Sequence, residues 1–147
     1  MIKKKVMFLI PLLVVLDAVS KYLALGVNRE IIPGFFYIAY TENRGVIFGI
    51  FQDNLWVTLL LPFLLSVVLV YLVIKSASRV ESLGYSLILS GIVGNLVDRF
   101  LYGFVVDFIY FKIYPEYAIS LFNLADLFTV LGLLLIVVHS FRKNDQE

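Results

Sequence analysis

Four apolar runs, each about as long as a lipid bilayer is thick, decide what this chain can fold into. They lie at about residues 6–25, 55–74, 83–102 and 122–141. In lipid every backbone amide must find its partner within the protein, so only helices and closed barrels cross. Four segments cannot close a barrel. The fold class expected is therefore an all-α membrane protein, a four-transmembrane-helix bundle. The 147 residues form one integral membrane domain, 1–147. Composition agrees: 61% of residues are hydrophobic, and the mean hydropathy is +0.96.

At the start of the first run, Lys3-Lys4-Lys5 ahead of an apolar stretch resembles a cleavable targeting signal. The stretch, however, continues to about Leu25, carries Asp17 and Lys21, and has no small-residue cleavage site after it. It reads as a retained first span. Lys3–Lys5 precede that span, Lys75 and Arg79 sit between the second and third, and Arg142 and Lys143 follow the fourth. The positive-inside rule then puts both termini in the cytoplasm and the other two connections outside. The first of these connections, about 26–54, is rich in aromatic and β-branched residues between Pro33-Gly34 and Asn43-Arg44-Gly45. That pattern predicts a small extracytoplasmic β element between helices 1 and 2, resting on the outer membrane surface.

Several function classes are excluded at once. There is no Cys, hence no disulfide, thiol nucleophile or thiolate metal site. The single His, His139, cannot build a multi-histidine zinc site and lies far along the chain from the acids, against a Ser-His-Asp triad. A net charge of +1 suggests no nucleic acid partner. No cofactor and no metal are expected.

What remains is a set of polar residues at the margins of oily segments: Asn95, Asp98, Asp107, Asn123 and Asp126, with Asp17 and Lys21 in the first run. An ionisable side chain at the centre of a span costs roughly 2.5–3.5 kcal/mol on insertion scales, so such residues persist where they pair or act. With the orientation above, Asp17, Asp98 and Asp126 all fall within roughly 5–12 Å of the outer helix ends, at about 1.5 Å per residue. Asn95 and Asp98 are three apart, as are Asn123 and Asp126, so each pair shares a helix face. Asp17 and Lys21, four apart, suit an intrahelical ion pair that orients or stabilises. Asp98-Arg99 suits local charge compensation, with Arg99 free to reach a substrate carbonyl. Asp107 and Asp126 have no cation at helical spacing. Facing each other, they could share a proton and activate water, as in aspartic proteases. The plainer alternative is two solvated acids at helix ends, where Asp126 would also suit the helix dipole. Ser20-Lys21 is a poor hydrolase pair because adjacent helical residues diverge, His139 suits a helix end at the interface, and Gly91 and Gly94 suit close helix packing.

Taken together, these strings resemble the lipoprotein signal peptidase (signal peptidase II) family of membrane aspartic proteases. Asp17-Ala18-Val19-Ser20-Lys21 resembles the family's first-helix motif, and Asn43-Arg44-Gly45 with Phe48-Gly49 resembles its loop motif. Gly94-Asn95-Leu96-Val97-Asp98-Arg99, Gly103 and Val105-Val106-Asp107-Phe108 are similar to its third-helix string, and Phe122-Asn123-Leu124-Ala125-Asp126 to its fourth. The resemblance implies Asp107 and Asp126 as the catalytic dyad. It implies Asn43, Gly45, Asn95, Arg99, Asn123 and Ala125 around the substrate, with Asp17, Lys21 and Asp98 shaping the site. It further implies cleavage of prolipoprotein signal peptides before a diacylglyceryl-modified Cys, contact with membrane lipids, inhibition by globomycin-type peptides, and a place in the bacterial inner membrane with the active site at the outer face. Ala18, Val46, Ile47 and the Ser90-Gly91-Ile92 stretch depart from the usual pattern; they bear on groove width and inhibitor affinity rather than on a catalytic group.

Two rivals come from other classes. A small proton- or ion-coupled transporter would also carry intramembrane acids, but its polar residues should continue to the cytoplasmic side, and 63–74 and 131–138 hold no Asp, Glu, Lys, Arg or His. A structural assembly subunit would use the polar residues as glue, so that Asp107→Asn or Asp126→Asn would impair folding rather than turnover.

Overall fold

The computed structural model describes residues 6–45, 54, 56–114 and 117–144. Lys3–Lys5, the bulky Val46 and Ile47, and Phe48-Gly49 lie outside these. Helix α1 (Leu9–Ala24) leads into a hairpin of β1 (Asn28–Ile32) and β2 (Phe36–Asn43). A π-helical turn, Trp56–Leu60, continues into α2 (Leu61–Lys75), followed by α3 (Arg79–Tyr102). Two further strands, β3 (Val105–Tyr114) and β4 (Tyr117–Phe122), precede α4 (Leu124–Asn144). Among the described residues three helices are long and apolar enough to cross a membrane, Trp56–Lys75, Arg79–Tyr102 and Leu124–Lys143. Helix α1, at 16 residues, is shorter.

Helix α3 is the pillar against which α1, α2 and α4 pack. Its start is sharply defined: the Ser78 hydroxyl accepts from the Glu81 amide while the Glu81 carboxylate accepts from the Ser78 amide, a capping box. Its end is equally sharp. Gly103 adopts a left-handed φ of 80° and its N–H returns to the Arg99 carbonyl. Between these ends, small residues let α4 approach closely. A methyl at Gly91 would strike the Ala125 carbonyl and the Thr129 hydroxyl, and one at Gly84 would lie 2.8 Å from Ile136 Cγ1. Leu69 and Val73 of α2 meet Ile88 and Leu89 of α3 in the apolar core. The leucine-rich remainder of α1, α2 and α4 faces outward, as lipid permits.

The β element is larger than the sequence suggests. All four strands join one antiparallel sheet in the order β1-β2-β3-β4. An element confined to the connection between the first two helices is thus corrected: half of the sheet comes from the segment between α3 and α4. That segment reads VVDFIYFKIY and YAISLF, β-branched and aromatic residues that suit a pleated surface. An all-α description is corrected with it. The sheet caps the end of the bundle where α1 and α3 finish and α4 begins. At the opposite end, His139 of α4 lies 3.1 Å from the Ser78 hydroxyl and 3.8 Å from the Glu81 carboxylate, joining α4 to the start of α3.

Candidate active site

The reversal at Gly103 brings β3 back against the helix it has just left. The Val106 N–H donates to Asp98 Oδ2 (3.1 Å), which ties the strand to α3 one residue before Asp107. Opposite Asp107, β2 carries an extra residue: Ile38 pairs with Ile109, but Thr41, three positions on, pairs with Asp107, two positions back. Such a bulge bends a strand and re-aims its side chains. Beyond it, Asn43 faces Val105, which makes Asn43 and Asp107 diagonal neighbours on one face. Asn43 Nδ2 donates to Asp107 Oδ2 at 2.9 Å. The Asp107 side chain is 2% exposed.

Asp126 arrives by a different local rule. Asn123 precedes the first turn of α4 and its Oδ1 accepts from the Asp126 N–H (3.0 Å), while Asp126 Oδ2 accepts from the Asn123 N–H (3.1 Å). This is a capping box in which Asn and Asp take the two roles. The spare end of the cap does further work. Asn123 Nδ2 donates to Asp107 Oδ1 (2.7 Å), with Val106 O (3.2 Å) and Asn95 Oδ1 (3.1 Å) also within reach. Asn95 Nδ2 in turn donates to Asp126 Oδ1 at 2.8 Å. Each of the four carboxylate oxygens thus accepts a hydrogen bond from an amide. Among the described residues neither acid forms an ion pair.

Linked to the network through Asn95 is Lys21 of α1, buried beside the two acids of a separate group. Its Nζ lies 2.7 Å from Asp17 Oδ2, 2.9 Å from Asp98 Oδ2 and 2.9 Å from Asn95 Oδ1. Asp17 Oδ1 accepts from the Ala125 N–H at 2.9 Å. Gly94 makes room for this approach, since a methyl there would lie 2.7 Å from Asp17 Oδ2. Arg99 turns to the other side and donates through Nη2 to the Gly45 carbonyl (2.9 Å), just after β2.

Residues 9–142 match the family model described as signal peptidase (SPase) II. The chain belongs to the signal peptidase II family. A lipoprotein signal peptidase of Clostridium tetani is 36% identical over 141 residues, covering 91% of this chain and 90% of that one. That of Clostridioides difficile is 39% identical over 137 residues, with 89% and 90% covered. A solved structure described as a bacterial membrane enzyme, obtained by the in meso method at 2.3 Å, superposes with a TM-score of 0.88. It is 28% identical, with 98% of this chain and 92% of that one covered. Signal peptidase II is a membrane hydrolase of the aspartic class, and this chain is accordingly an aspartic protease in a bacterial membrane.

Within this signal peptidase II fold, burial pushes the Asp107 carboxyl up to about 6. The Asp126 charge adds to that rise, while hydrogen bonds from Asn43 and Asn123 and the charge on Lys21 oppose it. Other sequence expectations are corrected in detail. Asp98 pairs across to Lys21 of α1, not with Arg99 beside it, because adjacent helical residues point about 100° apart. Asp107 sits on a strand, not at a helix end. Asp17 and Lys21 do pair within α1, and the Ser20 hydroxyl only donates to the Asp17 carbonyl. Sequence reasoning missed the backbone of Val106, which binds Asp98 through its N–H and faces Asn123 with its carbonyl. A main-chain group leaves no signature in residue identity.

Proposed function

We propose that this chain removes signal peptides from prolipoproteins by hydrolysing the peptide bond before a diacylglyceryl-modified Cys, with water activated between Asp107 and Asp126. The observation that carries this reading is the grip on the two acids. One residue, Asn123, holds both, and among the described residues amides alone supply their hydrogen bonds. Amide donors favour the anion but carry no charge, and burial of the acids opposes them, so the pair can share one proton. The protonated acid gives its proton to the scissile carbonyl oxygen. The ionised acid takes one from water, whose oxygen bonds to the carbonyl carbon. Collapse of the tetrahedral diol breaks the C–N bond as a proton passes to the leaving amine. Arg99 and the asparagines position the substrate backbone, a role worth orders of magnitude in rate.

The same reading covers placement. All four helices span the bacterial inner membrane, both termini are cytoplasmic, and the sheet rests on the outer face beside the dyad. The substrate's acyl chains stay in the bilayer between helices, and globomycin-type cyclic peptides compete for the site. The test is cleavage of a diacylated lipobox peptide by purified protein. Wild type should cut before the modified Cys. Asp107→Asn and Asp126→Asn should melt like folded protein yet lose at least 100-fold in kcat, the scale of general acid–base catalysis. Activity in either variant would sink the dyad, and a loss on chelation restored by zinc would sink the water-between-acids chemistry.

A further inference from the structure

Lys21 is 3% exposed, and its ammonium lies 2.7, 2.9 and 2.9 Å from three oxygens. Two are the carboxylates of Asp17 and Asp98, which balance its charge. The third, Asn95 Oδ1, does not. An ammonium can only donate, so together with Asn123 Nδ2, which also reaches Oδ1 (3.1 Å), it sets which end of the Asn95 amide faces α1. The other end, Nδ2, is thereby aimed at Asp126 Oδ1. Rotated by a half-turn, the amide would set N–H groups against the ammonium and an oxygen against the carboxylate. The two carboxylates have a second use as well. Asp17 holds the N–H of Ala125, the residue before Asp126, and Asp98 holds the N–H of Val106, the residue before Asp107.

We propose that Lys21 is a positioning residue for the dyad. Through the Asn95 amide it keeps a hydrogen-bond donor on Asp126, and through Asp17 and Asp98 it holds the backbone next to each acid. This rests on the reading of Asp107 and Asp126 as the dyad. It explains why three charges are retained where a purely apolar α1–α3 seam would be no less stable.

Lys21→Met alone would strand two buried carboxylates, so the informative protein is the neutral triple variant Asp17→Asn, Lys21→Met, Asp98→Asn. Each new amide oxygen can still accept the N–H of Ala125 or Val106; what is removed is the ammonium's hold on Asn95, leaving the weaker one from Asn123 Nδ2. Melting in detergent should stay within a few degrees of wild type, KM for the lipobox peptide should stay within about twofold, and kcat should fall about 10–100-fold, as for a catalytic group misplaced by about 1 Å. The pH profile supplies a second readout. The charged groups around the dyad are Asp17 and Lys21 on α1, Asp98 and Arg99 on α3, and the acids themselves. Neutralising the triad removes one net negative charge, which alone would move the acid limb down. Loss of the Asn95 donor moves it up, and an upward shift is expected. In an Asn95→Ala background the triple change should cost less than twofold further in kcat, because both changes act through one amide. Unchanged kcat, a downward shift, multiplying effects with Asn95→Ala, or a triple variant that does not fold would each overturn the proposal. An active Asp107→Asn or Asp126→Asn would instead overturn the dyad, whatever the triple variant does.

Discussion

Asp107 is held in a place that suits its neutral form. Its carboxyl is raised to about 6 against an ordinary value of 3.8, mainly by burial. An acid raised on folding favours the native state below its unfolded value, and that advantage is lost as pH climbs through the folded value. Stability attributable to Asp107 is therefore full below about pH 4 and gone above about pH 6, a difference of roughly 3 kcal/mol at 1.36 kcal/mol per unit. Asp107→Asn should remove that slope while abolishing turnover, although its new NH2 would face the Asn43 or the Asn123 donor and offset part of the gain at pH 7. Parallel wild-type and variant melting curves between pH 4 and pH 7 would contradict it. Asn43 bears on the same group from the other side. Its amide stabilises the Asp107 anion, so Asn43→Ala should move the basic limb of the kcat/KM profile upward from near pH 6. A limb that stays or falls would show that Asn43 does not act on Asp107.

Among the elements, the contact of α3 with α4 decides where Asp126 stands. Gly91 touches the Ala125 carbonyl, one residue before Asp126, so a side chain there meets backbone that cannot turn aside. Gly91→Ala should destabilise by about 1–3 kcal/mol, the usual cost of overpacking, and should lower kcat by displacing the first turn of α4. Denaturation in mixed micelles with parallel peptide assays would check both; a stable, fully active variant would show that α4 can shift without cost. The helices were legible in the sequence because a bilayer demands about 20 apolar residues and little else. Residues 105–122 were not, although their β-branched and aromatic content is as strand-like as that of 28–43. Their short apolar runs carry no periodicity that separates a strand from an interfacial loop, and β2, which joins their hairpin to the rest of the sheet, lies more than 60 residues away from β3. The candidate site was legible where a local rule writes it. Asn123-x-x-Asp126 is a capping spacing, and Asp17 with Lys21 an i,i+4 pair. It was illegible where packing writes it, as in the reach of Lys21 to Asp98 on α3, which no spacing within one helix can announce.

Across the whole molecule, the end of the bundle opposite the sheet carries a cluster of basic residues of its own. Lys75 ends α2, Arg79 begins α3, and Arg142 and Lys143 lie in the last turn of α4. The contact of His139 with Ser78 brings those termini together at one end of the bundle. The sheet, the asparagines and both acids occupy the other. Basic residues are retained on the cytoplasmic side, so on the proposed reading this end faces the cytoplasm and Asp107 and Asp126 face outward. Wild type contains no Cys, so single cysteines report side without background. Arg29→Cys, exposed on β1, should react with a membrane-impermeant maleimide added to intact spheroplasts. Arg79→Cys and Arg142→Cys, both exposed, should react only after the membrane is opened. A single basic end on one side requires an even number of crossings between Arg79 and Arg142, and the same test on Arg29 and Lys75→Cys counts one crossing between them. Labelling of Arg79→Cys in intact spheroplasts would invert the topology and place the dyad in the cytoplasm, where no exported lipoprotein could reach it.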